Sequence, residues 1–312
     1  MKFLVLGAGA IGGYFGGRLA ESGADVTFLV RPQRRAQLER DGLRIESALG
    51  NVSRPVRTAL ADSVAPDYDV VLLTCKAYDL QSSIDSIAPA VGPQTVVIPM
   101  LNGLAHLAVL DAHFGASRVM GGTCMIDSTL GRDGVVHHGG TLQRLVFGER
   151  DGRPSPRAEA VAAVLAGTIV DWSLSDDIEQ AMWEKLVFLA ALACLSCLFR
   201  ANVREIISAP GGREAVERAL TANAEIAVRE GHPPSASGLE FARTRLTDPA
   251  GPWSASMLRD LESGGRVEGD HIVGWMLDRA RRHGVDDTLL SLAFTHLKAF
   301  EARRDANRLP GC

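Results

Sequence analysis

Residues 181 to 197, AMWEKLVFLAALACLSC, set one lysine, Lys185, at the head of an almost unbroken apolar run. If residues 176 to 199 form one helix, Lys185 shares a stripe with Ile178, Met182, Leu189 and Ala193, since side chains three and four apart lie on one face. A lysine on such a face can lay its methylene stem over the core and send its ammonium to water. It can also stand partly buried in a cleft. Composition favours the second use, because only Lys2, Lys76, Lys185 and Lys298 among the 33 basic residues are lysines and the rest are arginines. Arginine supplies the ordinary surface charge of this chain. A retained lysine therefore points to work a guanidinium cannot do, that of a compact ammonium able to give up its proton.

A second constellation opens the chain. Gly7-x-Gly9-x-x-Gly12 follows the apolar stretch KFLVL and leads into a helical pattern, the setting that a dinucleotide fingerprint needs. Gly7 is expected to make the tight turn, Gly9 to let the backbone approach a pyrophosphate, and Gly12 to allow close helix packing. Ala10 and Ile11 would lie in the first helical turn, whose N–H groups face the phosphates. About 20 residues on, where an NAD site carries Asp or Glu on the ribose, stands Arg31. With Arg34 or Arg35 as helpers, Arg31 suits a 2'-phosphate, so NADP (as NADPH) is the expected cofactor. Lys76 and Asn102 close the apolar runs VVLLTCK and TVVIPMLNG, at strand ends where such sheets bind ligands.

These residues require an α/β scaffold: an N-terminal Rossmann-type dinucleotide-binding domain followed by an all-helical C-terminal domain. Apolar strands at 2–7, DVTFLV, 69–76 and 95–100 alternate with helical stretches, which implies a parallel sheet covered on both faces. RVMGGTCMI, GVVHHGG and LQRLVFGER are expected to extend that sheet, and ERDGRPSP at 149–156 to form a surface loop. From about 172 helical patterns take over, at 176–199, 211–230, 235–246, 254–263, 268–284 and 286–307. The domains are thus expected at 1–171 and 172–312.

With 312 residues and a net charge of -4 the chain offers no general attraction to nucleic acid or to an anionic membrane, and small-molecule partners are favoured. The apolar run at 186–199 is about 14 residues, short of the roughly 18 of a membrane span. The N-terminus reads as a strand and shows no secretion signal. Five cysteines, Cys75, Cys124, Cys194, Cys197 and Cys312, make an odd set that fits a reducing, cytoplasmic setting. Cys194-x-x-Cys197 lies inside the apolar helix with no second pair of ligands, so buried packing is expected rather than metal or redox work, and no metal site is read anywhere. The sequence neither requires nor opposes a homodimer.

GAGAIGG, TCKAYD, PMLNG, WEKL and SMLRDLESGGRVEGDHIVG together resemble, in order and over nearly the whole chain, the ketopantoate reductase (2-dehydropantoate 2-reductase) family of NADPH-dependent enzymes. The resemblance implies that Lys185 is the general acid. It implies that Lys76 and Asn102 line the nicotinamide side, that Ser256 contacts substrate, and that Glu268 faces the lysine and cofactor across the cleft. The chemistry agrees: hydride delivery to a ketone leaves charge on oxygen, which a nearby ammonium stabilises and protonates. Glu268, near a helix start where the dipole favours a carboxylate, could offset the desolvation of that ammonium.

One departure from the family pattern concerns the substrate. Ketopantoate-specific members carry substrate-binding asparagines four and eight residues after the lysine, and this chain has Leu189 and Ala193 there. The expected activity is reduction of a 2-keto acid, with ketopantoate itself in question. Competing readings are a β-hydroxyacid or polyol-phosphate dehydrogenase, which share a Rossmann domain and a catalytic lysine, and a non-catalytic NADPH-binding sensor. GRVEGDHIVG argues against the first, and Lys185 kept together with Glu268 against the second.

Overall fold

The structure is a computed structural model in which residues 1–309 are described; Cys312 lies outside them. The first half alternates strands and helices: β1 (Lys2–Leu6), α1 (Ala10–Glu21), β2 (Asp25–Leu29), α2 (Pro32–Asp41), β3 (Leu43–Ser47), β4 (Val52–Arg54), β5 (Arg57–Ala59), β6 (Val70–Leu73), α3 (Leu80–Ile87) and β7 (Val96–Pro99). It continues with α4 (Ala105–Phe114), β8 (Gly121–Leu130), β9 (Val135–Gly148), α5 (Pro156–Leu165) and β10 (Asp171–Leu174). Then come seven helices: α6 (Ile178–Phe199), α7 (Val203–Ser208), α8 (Gly212–Arg229), α9 (Ala236–Leu246), α10 (Ser256–Glu262), α11 (Trp275–His283) and α12 (Thr288–Asp305).

One sheet runs in the order β5-β2-β1-β6-β7, every neighbour parallel. Strands β6 and β7 are buried along their length, as the continuous apolar runs demand. The later strands do not extend this sheet. They build a second one, β10-β9-β3-β4 with β8 antiparallel to β9. Strand β3 joins it as a parallel neighbour of β9, so a short segment after α2 belongs to the second sheet.

Helix α1 explains why two sheets form. Its glycines fall on two adjacent faces one turn apart. A methyl group on Gly12 would overlap the Gly7 carbonyl oxygen and the Thr74 hydroxyl, and one on Gly16 would come within 2.7 Å of the Phe28 ring; both look at the first sheet. Gly13 and Gly17 look at the second, where a methyl would come within 2.8 Å of Val136 and 2.6 Å of Ile45. The missing side chains let both sheets close on one helix. Tyr14, fully buried between them, donates its hydroxyl to Gln143 Oε1 at 2.8 Å, and Gln143 Nε2 donates to the Ile169 carbonyl at 2.7 Å, so this interior leaves neither side chain's polar group idle.

The chain divides into two compact units. The first holds Met1–Leu101 and His106–Ala181, the second Asn102–Ala105 and the chain from Met182 onward. Strand signals continue past 172, since β10 pairs in parallel with β9, and the chain stays in the first unit to Ala181. In the second unit α8 packs against α7, α9, α11 and α12. Helix α7 was not expected from periodicity, yet its capping box is written in the sequence: the Asn202 side chain accepts from the Glu205 N–H and Glu205 accepts from the Asn202 N–H. Among the described residues α6 is the one helix long and apolar enough to cross a bilayer, but 67% of its apolar window is buried inside the protein, as in a core helix.

The glycine contacts set an order of tolerance. Gly12→Ala meets a backbone carbonyl that cannot yield and should cost about 3 kcal/mol or more, at the upper end of overpacking penalties. Gly17→Ala meets side-chain ends only, Ile45 Cδ1 at 2.6 Å and Leu43 Cδ2 at 2.9 Å, which can yield, and gains helix propensity, so it should stay within about 1 kcal/mol of wild type. Thermal unfolding of the two variants measures the difference, and equal midpoints would contradict this packing.

Candidate active site

In the first unit the glycine turn is built before any ligand is considered. Gly7 has φ +90, a conformation side chains resist, and its N–H donates to the Leu29 carbonyl at 2.8 Å, tying the end of β1 to β2. Thr74 Oγ1 donates to the Leu6 carbonyl at 2.6 Å from the end of β6. Arg34 donates to the Ala8 carbonyl through Nη2 at 2.8 Å and Nε at 3.1 Å. Helix α1 then starts at Gly9, with no side-chain cap and no acidic residue in its first turn. The position a Cβ of Gly9 would take meets nothing within 4 Å. An open cradle over an uncapped helix N-terminus is the shape a pyrophosphate fits, and the Gly7, Gly9, Ala10, Ile11 and Gly12 backbone lines it.

The three arginines after β2 do different work. Besides Ala8, Arg34 donates through Nη1 to Gln37 Oε1 at 2.6 Å and the Gly134 carbonyl at 3.1 Å, and burial, with Arg44 nearby, pulls its guanidinium below its ordinary value. It braces the loop. Arg35 pairs with Glu39 on the exposed side of α2. Arg31 precedes α2 with its side chain 81% exposed, and its nearest acid, Asp79, stands at 3.4 Å. No carboxylate occupies the end of β2, which closes on Leu29, Val30 and Arg31. Lys76 lies three residues beyond β6, half-buried, leading into a single 3-10 turn at Ala77–Asp79.

In the second unit Lys185 is half-buried on α6, between the buried side chains of Trp183 and Leu186, and its Nζ donates to Asn102 Oδ1 at 3.1 Å. Two residues 83 positions apart, one from a loop after β7 and one from α6, are thus joined. Glu268 is 2% exposed. The helix expected at 268–284 is divided here: Asp270–Gly274 form a π-helical turn in which the Gly274 N–H donates to the Gly269 carbonyl at 2.9 Å, and α11 follows. Ser256 is the first residue of α10, half-buried. The N–H just before it, on Ala255, donates at 3.3 Å to Ser196 Oγ of α6, which ties that helix start to the lysine helix. Leu189 is half-buried one turn after Lys185, whereas Ala193 has no exposed surface.

Sequence reasoning passed over the bracing groups. Thr74 went unremarked, and Arg34 was read as a phosphate helper rather than a loop support. A short polar side chain after a buried strand was the signal for Thr74; nothing local distinguishes Arg34 from Arg35.

A Rossmann-type unit with an open phosphate cradle, followed by helices bearing a half-buried lysine, is the layout of a dinucleotide-dependent oxidoreductase. Comparison makes the class specific. Residues 3–152 match Ketopantoate reductase PanE/ApbA and residues 177–301 match Ketopantoate reductase PanE/ApbA C terminal. The chain is 36% identical over 304 residues to an uncharacterized oxidoreductase, YkpB, of Bacillus subtilis, covering 97% of this chain and 100% of the relative. It is 31% identical over 291 residues to 2-dehydropantoate 2-reductase of Halobacterium salinarum, covering 91% and 94%. The crystal structure of 2-dehydropantoate 2-reductase from Geobacter metallireducens superposes with a TM-score of 0.87 at 29% identity, covering 96% and 99%. The chain belongs to the ketopantoate reductase family, whose members are oxidoreductases that use a nicotinamide dinucleotide.

Cys194 and Cys197 are both wholly buried, and burial pushes both thiols up to about 12. Almost no thiolate exists at pH 8, and the thiolate is the reactive form. In the native protein neither should react with iodoacetamide at pH 8 over an hour, and both should react in denaturant; mass mapping of the peptides reads the result.

Proposed function

We propose that this protein is an NADPH-dependent reductase of a 2-keto acid with an apolar side chain, with Lys185 as the general acid. The observation that carries the reading is the Lys185 Nζ to Asn102 Oδ1 hydrogen bond of 3.1 Å, at the head of the apolar run of α6. It holds one ammonium at a fixed place. Bound NADPH supplies the hydride. As the carbonyl carbon is reduced, charge gathers on its oxygen, and Lys185 donates a hydrogen bond and then the proton to that oxygen. Asn102, keeping its Oδ1 on Nζ, orients the ammonium. Glu268 contributes negative charge from a buried position, and Ser256 contacts the substrate. The backbone of Gly7, Gly9, Ala10, Ile11 and Gly12 holds the pyrophosphate, Lys76 and Asn102 the nicotinamide end, and Arg31 the 2'-phosphate. A cytoplasmic location fits the cysteine usage.

The apolar substrate follows from Leu189. A ketopantoate hydroxyl set against leucine in place of an amide loses a partner, at about 1 to 3 kcal/mol. Ala193, being wholly buried, leaves that argument to Leu189.

The test is NADPH oxidation with a panel of 2-keto acids. A straight or branched apolar 2-keto acid should show a kcat/KM at least about tenfold above that of ketopantoate. With the best substrate Lys185→Ala should lower kcat on the order of 10² to 10⁴-fold while the NADPH Kd stays put. Turnover kept within about threefold would return Lys185 to the role of a core lysine that reaches for water.

Cofactor choice is tested separately. NADPH should bind at least tenfold tighter than NADH, about 1.4 kcal/mol. Arg31→Ala should weaken NADPH and leave NADH nearly unchanged in a fluorescence titration. Equal affinities in the wild type would remove Arg31 from the site.

A further inference from the structure

Asn102 is followed by Gly103, whose φ is +80. A Cβ on Gly103 would lie 2.7 Å from the backbone carbonyl oxygen of His271, closer than side chains tolerate. His271 sits inside the π-helical turn Asp270–Gly274. Such a turn widens the helix by one residue and moves its carbonyls out of the regular α register. The turn cannot retreat, because α12 stands behind it. A methyl on Gly274 would come within 2.7 Å of the Phe294 ring, and one on Gly269 within 3.3 Å of Leu297. Glu268 is attached to the same feature, its carbonyl accepting from the Ile272 N–H at 3.2 Å. All of these residues, with Lys185, belong to the second unit.

We infer that Gly103 and the π-helical turn form a positioning device for Lys185, acting through Asn102. The backbone of Gly103 rests on the His271 carbonyl at a distance that only a glycine permits, and this fixes the neighbouring Asn102. The amide of Asn102 in turn fixes Nζ. Displacing Gly103 by several tenths of an ångström carries Oδ1 toward the limit of a hydrogen bond, about 3.5 Å. Misplacement of a catalytic group by about 1 Å costs on the order of 10²-fold in rate. Because the Glu268 carbonyl is hydrogen-bonded to the same turn, one backbone contact sets the lysine's hydrogen-bond partner and a buried acidic residue together. The inference rests on the reading of Lys185 as proton donor.

The experiment uses the full chain with NADPH and the best 2-keto acid of the panel. Gly103→Ala, Asn102→Ala and the double variant are compared for kcat, KM, the alkaline limb of the pH–rate profile and thermal midpoint. Each single variant should lower kcat about 10- to 10²-fold and move the alkaline limb to lower pH, since an ammonium that loses an acceptor gives up its proton more readily. The double variant should be no slower than Asn102→Ala within about twofold, as expected of residues acting through one contact. Gly274→Ala supplies a second route, since its φ of -64 accepts alanine and only the Phe294 ring opposes the methyl. It should lower kcat by about threefold or more, and Phe294→Leu added to it should restore the rate. Costs that multiply in the double variant, or a Gly274→Ala enzyme as fast as wild type, would overturn the inference.

A readout independent of turnover separates this from the catalytic reading. With only four lysines, [ε-¹³C]lysine labelling gives few signals, and Lys185→Arg identifies the one from Lys185. Gly103→Ala and Asn102→Ala should shift that signal alike, whether or not the protein reduces any keto acid. An unshifted signal sinks the positioning role; a shifted signal in a protein that turns over no substrate sinks only the catalytic one.

Discussion

The close approach of α1 to two sheets is the constraint on which the first unit depends. A helix with glycine on two neighbouring faces can lie against backbone on one side and branched side chains on the other. Gly12 and Gly16 bring it onto β1, β2 and β6, while Gly13 and Gly17 receive Val136 and Ile45. The same contact fixes where α1 begins. Its first turn is packed on Gly7 and Thr74 through Gly12, while the position of a Cβ on Gly9 stays open. The cradle is therefore a by-product of packing, braced from beneath by Thr74 and Arg34.

The second unit meets a different problem, how to keep a charged group among apolar helices. Helix α6 carries alanines and cysteines that have no exposed surface, so little solvent is left along that face. Lys185 keeps its charge tolerable by remaining half-exposed and by donating to a neutral amide. Glu268, two residues before the π-helical turn, is 2% exposed.

Read from its residues, the candidate site was legible to the extent that it is written in local rules. Gly7-x-Gly9-x-x-Gly12 needs only a strand before it and a helix after it. The arginine at position 31, where an acid would mark NAD, is a single-residue reading. The scarcity of lysine singled out Lys185 with no knowledge of its partner. Arg34 and Arg35, by contrast, are indistinguishable in sequence, and only the position of the Ala8 carbonyl separates a loop brace from an exposed guanidinium.

By itself the sequence determined the α/β order of the first half, the helical second half, the glycine turn after the first strand and the lysine at the head of its apolar run. Each follows from period, glycine placement or residue choice within a few neighbours. Only tertiary structure decided that the later strands form a second sheet, because a strand's pattern records that one face is buried and not which sheet does the burying. It also decided that Lys185 meets Asn102 across 83 residues, and that a helix read as continuous from 268 opens into a π-helical turn against Gly103. Those outcomes depend on backbone atoms of distant segments approaching each other, and backbone is the part of the chain on which every sequence is alike.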